Sequence, residues 1–257
     1  MFSCNTLPSR PVKVMNKLTI LTAYTVLMLA VPLGVWLAGY AWLPENVLNF
    51  SPAVPYLLIL TDTGSPPYAV GTAVLLMLWL AYLLRGRVHW RVVVLMCLLS
   101  LGSTQLIKSV MKQTFQEPRP FVAALAVSGS LNAPADFYRL PDAEQNALVS
   151  AQAAGINPRL AAHQAGHHDY SFPSGHTIFA VSWLLLFAGF GCRVRVCAAV
   201  AAWAAAVLLS RVLLGMHYPL DLLASTLIAG AVHAGLFARV LPRLQNRFPL
   251  LNKDLKS

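Results

Sequence analysis

Three short polar clusters carry the side chains with chemical potential. The first holds Lys112, Arg119 and Pro120, the second Pro173, Ser174, Gly175 and His176, and the third Ser210, Arg211, His217 and Asp221. Lys112, Arg119 and Arg211 together suit a doubly charged anion. Each Arg presents a planar fork of donors that matches phosphate oxygens, and Lys adds a compact point charge. Arg211 ends an apolar run, where an ionisable group is costly and by default functional. The second cluster immediately precedes another apolar run. Its backbone N–H groups and the Ser174 hydroxyl would sit at a helix N-terminus, a ready anion site. Gly175 would let the backbone approach an anion closely. Ser174 reads as a phosphate-binding N-cap rather than a nucleophile, since only His176 stands beside it as a base.

The third cluster supplies a His–Asp pair. Pro219 suits the first turn of a helix, so Asp221, four residues after His217, falls in that turn. A carboxylate bonded to one ring nitrogen leaves the other as a free lone pair and stabilises the cation formed on attack. His217 is thus a candidate nucleophile and His176 a candidate general acid for the leaving oxygen. The residues alone do not rank the two. The chemistry would be two in-line displacements through a phosphohistidine, with water attacking second.

The elements that must position these groups are set by composition. The chain has 257 residues, 57% hydrophobic and only 11% charged, with a mean hydropathy of +0.62. Soluble domains carry about 25% charged residues, so the expected fold is an all-α polytopic membrane protein. Six apolar runs stand out, at Leu18–Leu43, Tyr68–Leu84, Val92–Ile107, Thr177–Gly191, Val194–Leu213 and Leu220–Ala238. Several fall short of the roughly 20 residues a span takes, so their helices should extend through charged flanks. Ser51–Leu60 is apolar but contains Pro52 and Pro55, and reads as an interfacial hairpin rather than a seventh span.

The net charge of +10 is distributed by topology. If six spans alternate, 13 of the 19 Lys and Arg residues fall on one side, and eight of the nine acidic residues fall on the other. The positive-inside rule then puts both termini in the cytoplasm and all three clusters outside it. This pattern excludes a nucleic-acid partner as the reason for the basic charge; the expected partners are a lipid substrate and the bilayer, with no obligate protein partner evident. The expected organisation is a cytoplasmic tail over 1–17, a six-helix domain over 18–238 with a helical non-cytoplasmic loop over about 113–172 between helices three and four, and a second cytoplasmic tail over 239–257. Inside the loop, Asp142–Ala154 predicts a short helix, with Asp142 and Gln145 as a capping box and Gly155 as the stop. Cys4, Cys97, Cys192 and Cys197 all lie outside that loop, so no disulfide is expected.

The ordered pattern Lys-x6-Arg-Pro, Pro-Ser-Gly-His and Ser-Arg-x5-His-x3-Asp resembles the signature of the type 2 phosphatidic acid phosphatase superfamily. The likeness is complete at Lys112, Arg119, Pro120, Pro173, Ser174, Gly175, His176, Ser210, Arg211, His217 and Asp221, and it spans about residues 92–238. Its membrane branch implies six helices with the site at one face and no metal or other cofactor. It assigns the nucleophile to His217 and the acid to His176. Further likeness at Gln116–Phe121, Asp136–Leu140, Phe172–Thr177 and Leu213–His217 points to bacterial members of that branch. These act on phosphatidylglycerophosphate, phosphatidate, lysophosphatidate and undecaprenyl pyrophosphate.

His163, His167, His168 and Asp169 read as loop groups above the site or as solvated side chains rather than as a zinc site. Three competing functions fit parts of the pattern. A vanadate-dependent peroxidase shares the motifs but is expected to be soluble. A lipid-linked phosphotransferase would pass the phosphoryl group to an acceptor other than water. A small six-helix transporter would need polar groups at bilayer mid-depth, whereas here they crowd one interface.

Overall fold

The computed structural model describes residues 16–153 and 156–250, and the secondary structure among them is entirely helical. Helix α1 spans Lys17–Leu37, and the Asn16 side chain caps it by accepting from the Leu18 N–H at 3.2 Å. A 3₁₀ segment, Pro44–Ala53, runs directly into α2, Val54–Asp62. The expected hairpin is therefore helical. Pro55 falls in the first turn of α2, where its missing N–H removes no bond. Nine residues of α helix rise only about 14 Å, too little to cross a bilayer.

Helices α3, Tyr68–Leu83, and α4, Trp90–Phe115, follow. The third apolar run thus continues to Phe115 rather than stopping at Ile107. It ends where Gln116 adopts a left-handed conformation, φ +47°, and donates its N–H to Lys112 O. Lys108 and Lys112 consequently sit on the helix and not in a loop. Four short helices come next: α5, Pro120–Val127; α6, Pro134–Phe137; α7, Asp142–Ala153; and α8, Pro158–Ala165. The capping box expected at α7 does not form. Pro141 O takes the Glu144 and Gln145 N–H groups, the Gln145 side chain donates to Leu140 O at 2.8 Å, and Asp142 lies 3.4 Å from His168. The expected stop, Gly155, lies outside the described residues, as do 1–15 of the first tail and 251–257 of the second.

The chain closes with α9, Gly175–Gly189; α10, Val194–Leu213; and α11, Pro219–Gly235, which passes through a π turn at Leu236–Val240 into α12, Leu241–Arg247. The helices beginning at Lys17, Trp90, Val194 and Pro219 are long and apolar enough to cross a membrane; α3 and α9 are apolar but shorter. Helix α9 is the axis of the bundle, buried from Thr177 to Gly189 and packed against α1, α4, α10 and α11. Lipid tails give helices no hydrophobic reason to associate, so close approach and internal hydrogen bonds must hold them. At Gly230 of α11 a Cβ would stand 2.8 Å from Thr25 Cγ2 on α1, so a side chain there would push the two helices apart. Ser100 of α4 and His233 of α11 are joined at 3.0 Å.

A second, smaller core lies outside the bundle. Val47 and Val54 meet Phe121, Val122 and Leu125 of α5, Phe137 of α6, Val149 of α7, Leu160 of α8, and Leu214 and Met216 from the turn after α10. The three polar clusters lie where this cap meets the bundle.

Candidate active site

His217 is placed by a chain reversal at the end of α10. Gly215 takes φ +69°, and a Cβ there would stand 2.5 Å from the Trp42 ring, so glycine is needed for both conformation and space. The turn is then pinned by N–H groups of Met216 and His217 donating to Arg211 O, by Phe121 N–H donating to Gly215 O, and by Trp42 Nε1 donating to Leu213 O at 3.0 Å. Pro219 opens α11, and Asp221 in its first turn accepts from Tyr218 N–H at 2.9 Å. His217 Nδ1 lies 3.5 Å from Asp221 Oδ2 and 3.3 Å from Ser171 Oγ, and Ser171 Oγ donates to the same Asp221 oxygen. The other ring nitrogen, Nε2, faces Arg119 NH1 at 3.5 Å. Burial, and after it the Arg119 and Arg211 guanidinium groups, push His217 well below the usual imidazole range, so its ring is neutral at pH 7.

Arg119 precedes α5 and is 2% exposed, yet its donors are used. Nε donates to Asp169 O at 2.8 Å, NH1 to Met216 O at 2.8 Å, and NH2 to the Asp169 carboxylate. Lys112, in the last turn of α4, reaches the other oxygen of that carboxylate at 2.7 Å and also donates to Tyr170 O. Burial works against the charged Asp169 carboxylate, but Arg119 and Lys112 outweigh it and hold the group well below the ordinary carboxyl range. Arg211 is fully buried; NH1 donates to Thr61 Oγ1, while Nε and NH2 have no partner. Two unpaired guanidinium donors out of water are costly unless an anion completes them.

Ser174 is the N-cap of α9, accepting from Thr177 N–H at 3.3 Å and from the Thr177 hydroxyl at 2.9 Å. Its own N–H is taken by Ser225 Oγ at 2.8 Å, so that donor is not free for an anion as the sequence implied. At Gly175 the close neighbour is the Lys108 side chain, 2.9 Å from where a Cβ would stand. His176 follows in the first turn of α9. Its Nε2 meets Ser65 Oγ at 2.8 Å, and Gly64 allows the ring to pack against the α2–α3 turn.

A cavity of about 1090 Å³ gathers these groups. Lys108, Lys112, Arg119, Gly175, His176 and His217 all line it. Ser174, Arg211 and Asp221 do not line it and stand buried behind its wall. The cavity continues between α3 and α4 along Val70, Ala73, Val74, Met77, Leu98 and Leu101. His163 and His167 also line it. Burial, then Arg211 and Arg119, push His163 down to about 3, so it carries no charge. Among the described residues no group of three or more His, Cys, Asp or Glu side chains is arranged to hold a metal ion.

Sequence reasoning missed Ser171, Lys108, Thr61 and Ser65 as neighbours of the site, and it read Asp169 as a loop group above the site or a solvated side chain without its pairing to Lys112 and Arg119. Lys108 had a signal, being one helical turn before Lys112 on an extended α4. Asp169 and Ser171 had only their nearness to the second cluster, and the α2–α3 turn had none.

The chain belongs to the PAP2 superfamily, whose family description matches residues 93–245. It is thus a lipid phosphatase, an enzyme of the hydrolase class. Over 230 residues it is 37% identical to phosphatidylglycerophosphatase B of Haemophilus influenzae, covering 85% of this chain and 94% of that protein. Over 218 residues it is also 37% identical to phosphatidylglycerophosphatase B of Escherichia coli K12, covering 81% and 83% respectively.

Proposed function

We propose that this protein hydrolyses phosphate monoesters or pyrophosphates of membrane lipids through a phosphohistidine on His217, with substrates of the kind its relatives are named for, phosphatidylglycerophosphate first, and phosphatidate, lysophosphatidate and undecaprenyl pyrophosphate beside it. The observation that carries this reading is the orientation of His217. One ring nitrogen is turned to Asp221 and Ser171, and the other faces Arg119 in a cavity lined by cations. Lys112 and Arg119, which line the cavity, hold the non-bridging oxygens, Arg211 adds its positive charge from behind the wall, and Ser174 and Gly175 shape the α9 end of the cradle. The His217 Nε2 lone pair attacks phosphorus in line. The bond to the leaving oxygen breaks as His176 delivers a proton to it. Asp221 stabilises the phosphorylated imidazole, which is cationic. Water then attacks phosphorus, His176 takes its proton, the P–N bond breaks and orthophosphate leaves. No metal or other cofactor enters these steps. The apolar arm of the cavity between α3 and α4 takes the lipid chains, so the reacting bond sits at head-group level while the tails stay in the bilayer.

In this reading α3 and α9 also cross the membrane, giving six spans with both termini cytoplasmic and the site facing the periplasm of a bacterial inner membrane. Residue counts of 16 and 15 correspond to about 22–24 Å of helix. For α9 that is enough, because other helices and not lipid surround it. The organisation is then a tail over 1–17, the phosphatase domain over 18–238 and a tail over 239–257, with membrane lipid as the one partner the site requires.

The test is release of free orthophosphate by purified protein in detergent, run across glycerophospholipid and polyprenyl substrates. Free phosphate without phosphorylated acceptor distinguishes hydrolysis from phosphotransfer. His176→Ala should slow the phosphorylation step, read as the pre-steady-state release of the leaving group, most on alkyl phosphate esters and least on an aryl phosphate whose leaving group needs no proton. Equal slowing of that first step on both would remove His176 from the acid role. Ser171→Ala should lower kcat about 10- to 100-fold with KM little changed, the worth of one hydrogen bond to a charged group.

A further inference from the structure

Asp169 has no place in the steps above, yet it is the one acidic side chain paired with Lys112 or Arg119 among the described residues. Its two carboxylate oxygens take one donor from each cation, the same donors a phosphate would use. The cations are buried, with side-chain exposures of 12% and 3%, whereas Asp169 is 56% exposed. The carboxylate therefore comes from the open side of the cavity, like a ligand, and does not brace the cations from behind. Its backbone carbonyl separately holds Arg119 Nε at 2.8 Å. Rotation of the side chain alone would free both cations while that carbonyl kept Arg119 in position.

We propose that Asp169 is a specificity-determining residue: its carboxylate occupies the Lys112–Arg119 part of the cradle until a phosphate monoester or pyrophosphate displaces it, and singly charged phosphodiester lipids are thereby turned away. The inference rests on the phosphate-cradle reading given above. A phosphodiester carries one negative charge and two non-bridging oxygens, as a carboxylate does. Exchanging Asp169 for a diester replaces like with like and gains little. A monoester carries about −1.5 to −2 charge and a third acceptor oxygen. That extra charge and extra acceptor strengthen its pairing with Lys112 and Arg119 beyond what a singly charged, two-oxygen group can give. The difference matters because diesters are the bulk of a membrane. Without a resident anion, the cradle of an enzyme embedded in them would be filled by lipids it cannot turn over. The same carboxylate returns when orthophosphate leaves, which limits product inhibition.

The experiment compares the full chain with Asp169→Asn, an uncharged near-isostere, in detergent micelles. Inhibition constants are measured for inorganic phosphate and for phosphatidylglycerol mixed into the micelle. The expected result is a fall of about tenfold or more in the phosphate constant, equivalent to one lost competing ion pair. Phosphatidylglycerol should change from a feeble inhibitor to a competitive one. A brace would act in the opposite direction, so unchanged or larger constants in the variant overturn the proposal. Asp169→Ala, judged by the same sign, covers the case in which the Asn variant does not fold. If phosphate inhibits neither the wild-type chain nor the variants, the cradle itself is wrong, an outcome distinct from equal inhibition of all.

Discussion

His217→Ala is expected to lower phosphatase turnover by about 10⁴-fold or more while the protein still inserts and folds. A residue that forms the covalent intermediate has no substitute, and loss of such a nucleophile leaves only the residual rate given by binding and electrostatics. The structure indicates that the fold tolerates the change. The turn carrying His217 is held by backbone bonds to Arg211 O, by Gly215 and by Trp42, none of which uses the imidazole. Asp221 keeps its bonds from Ser171 Oγ and Tyr218 N–H when the ring is gone. Orthophosphate release, measured beside the elution profile of the variant in detergent, checks both halves. A variant that elutes as wild type and keeps more than about a hundredth of its turnover would exclude His217 as the nucleophile.

Asp221→Asn is the second large effect, an expected loss of about 10⁴-fold in kcat. The substitution keeps size but removes the charge beside Nδ1. In the wild-type chain Asp221 favours the tautomer with its proton on Nδ1, which leaves the Nε2 lone pair facing Arg119 and the cavity. An amide in its place can present its N–H₂ to Nδ1, which favours the proton on Nε2 and removes the lone pair that attacks. It also leaves the phosphorylated imidazolium, buried at 2% exposure, without a counter-charge. The loss should appear in kcat with substrate affinity retained, because Lys112, Arg119 and Arg211 are untouched. A pre-steady-state measurement that showed normal phosphorylation of the variant would contradict this account.

What was legible in the sequence was local. The His217–Asp221 spacing, Pro219 and the Ser174 N-cap are constrained within about one helical turn, so residue order nearly determines their geometry. The apolar runs likewise located the long helices, because lipid demands it. The ends were less legible. Helix α4 runs on to Phe115 through Lys108 and Lys112, since a charged residue at an interface does not stop a helix, whereas a left-handed Gln116 does. At α7 the Asp142–Gln145 spacing was right for a capping box, but other partners claimed both side chains: the distant His168 near Asp142, and the preceding Leu140 O for Gln145. The contacts that complete the site were not legible, because they join distant stretches. Ser65 meets His176, Thr61 meets Arg211 and Ser171 meets Asp221 only once α2, α9, α10 and α11 are packed together. Ser51–Leu60 read as an interfacial hairpin, whereas the end of α2 brings Thr61 to Arg211 and Asp62 to the cavity wall.

The central claim is that phosphate passes through the His217 ring. A rapid alkaline quench of the enzyme during turnover, followed by mass spectrometry of the peptide bearing residue 217, tests it directly, since phosphohistidine survives base. With an aryl phosphate, whose leaving group needs no proton, a phosphate on His217 should accumulate when His176 is replaced by Ala, because that variant cannot activate the second water. Phosphate found on His176 or Ser174 instead, or a quenched enzyme that turns over fully with no phosphorylated residue, would contradict it.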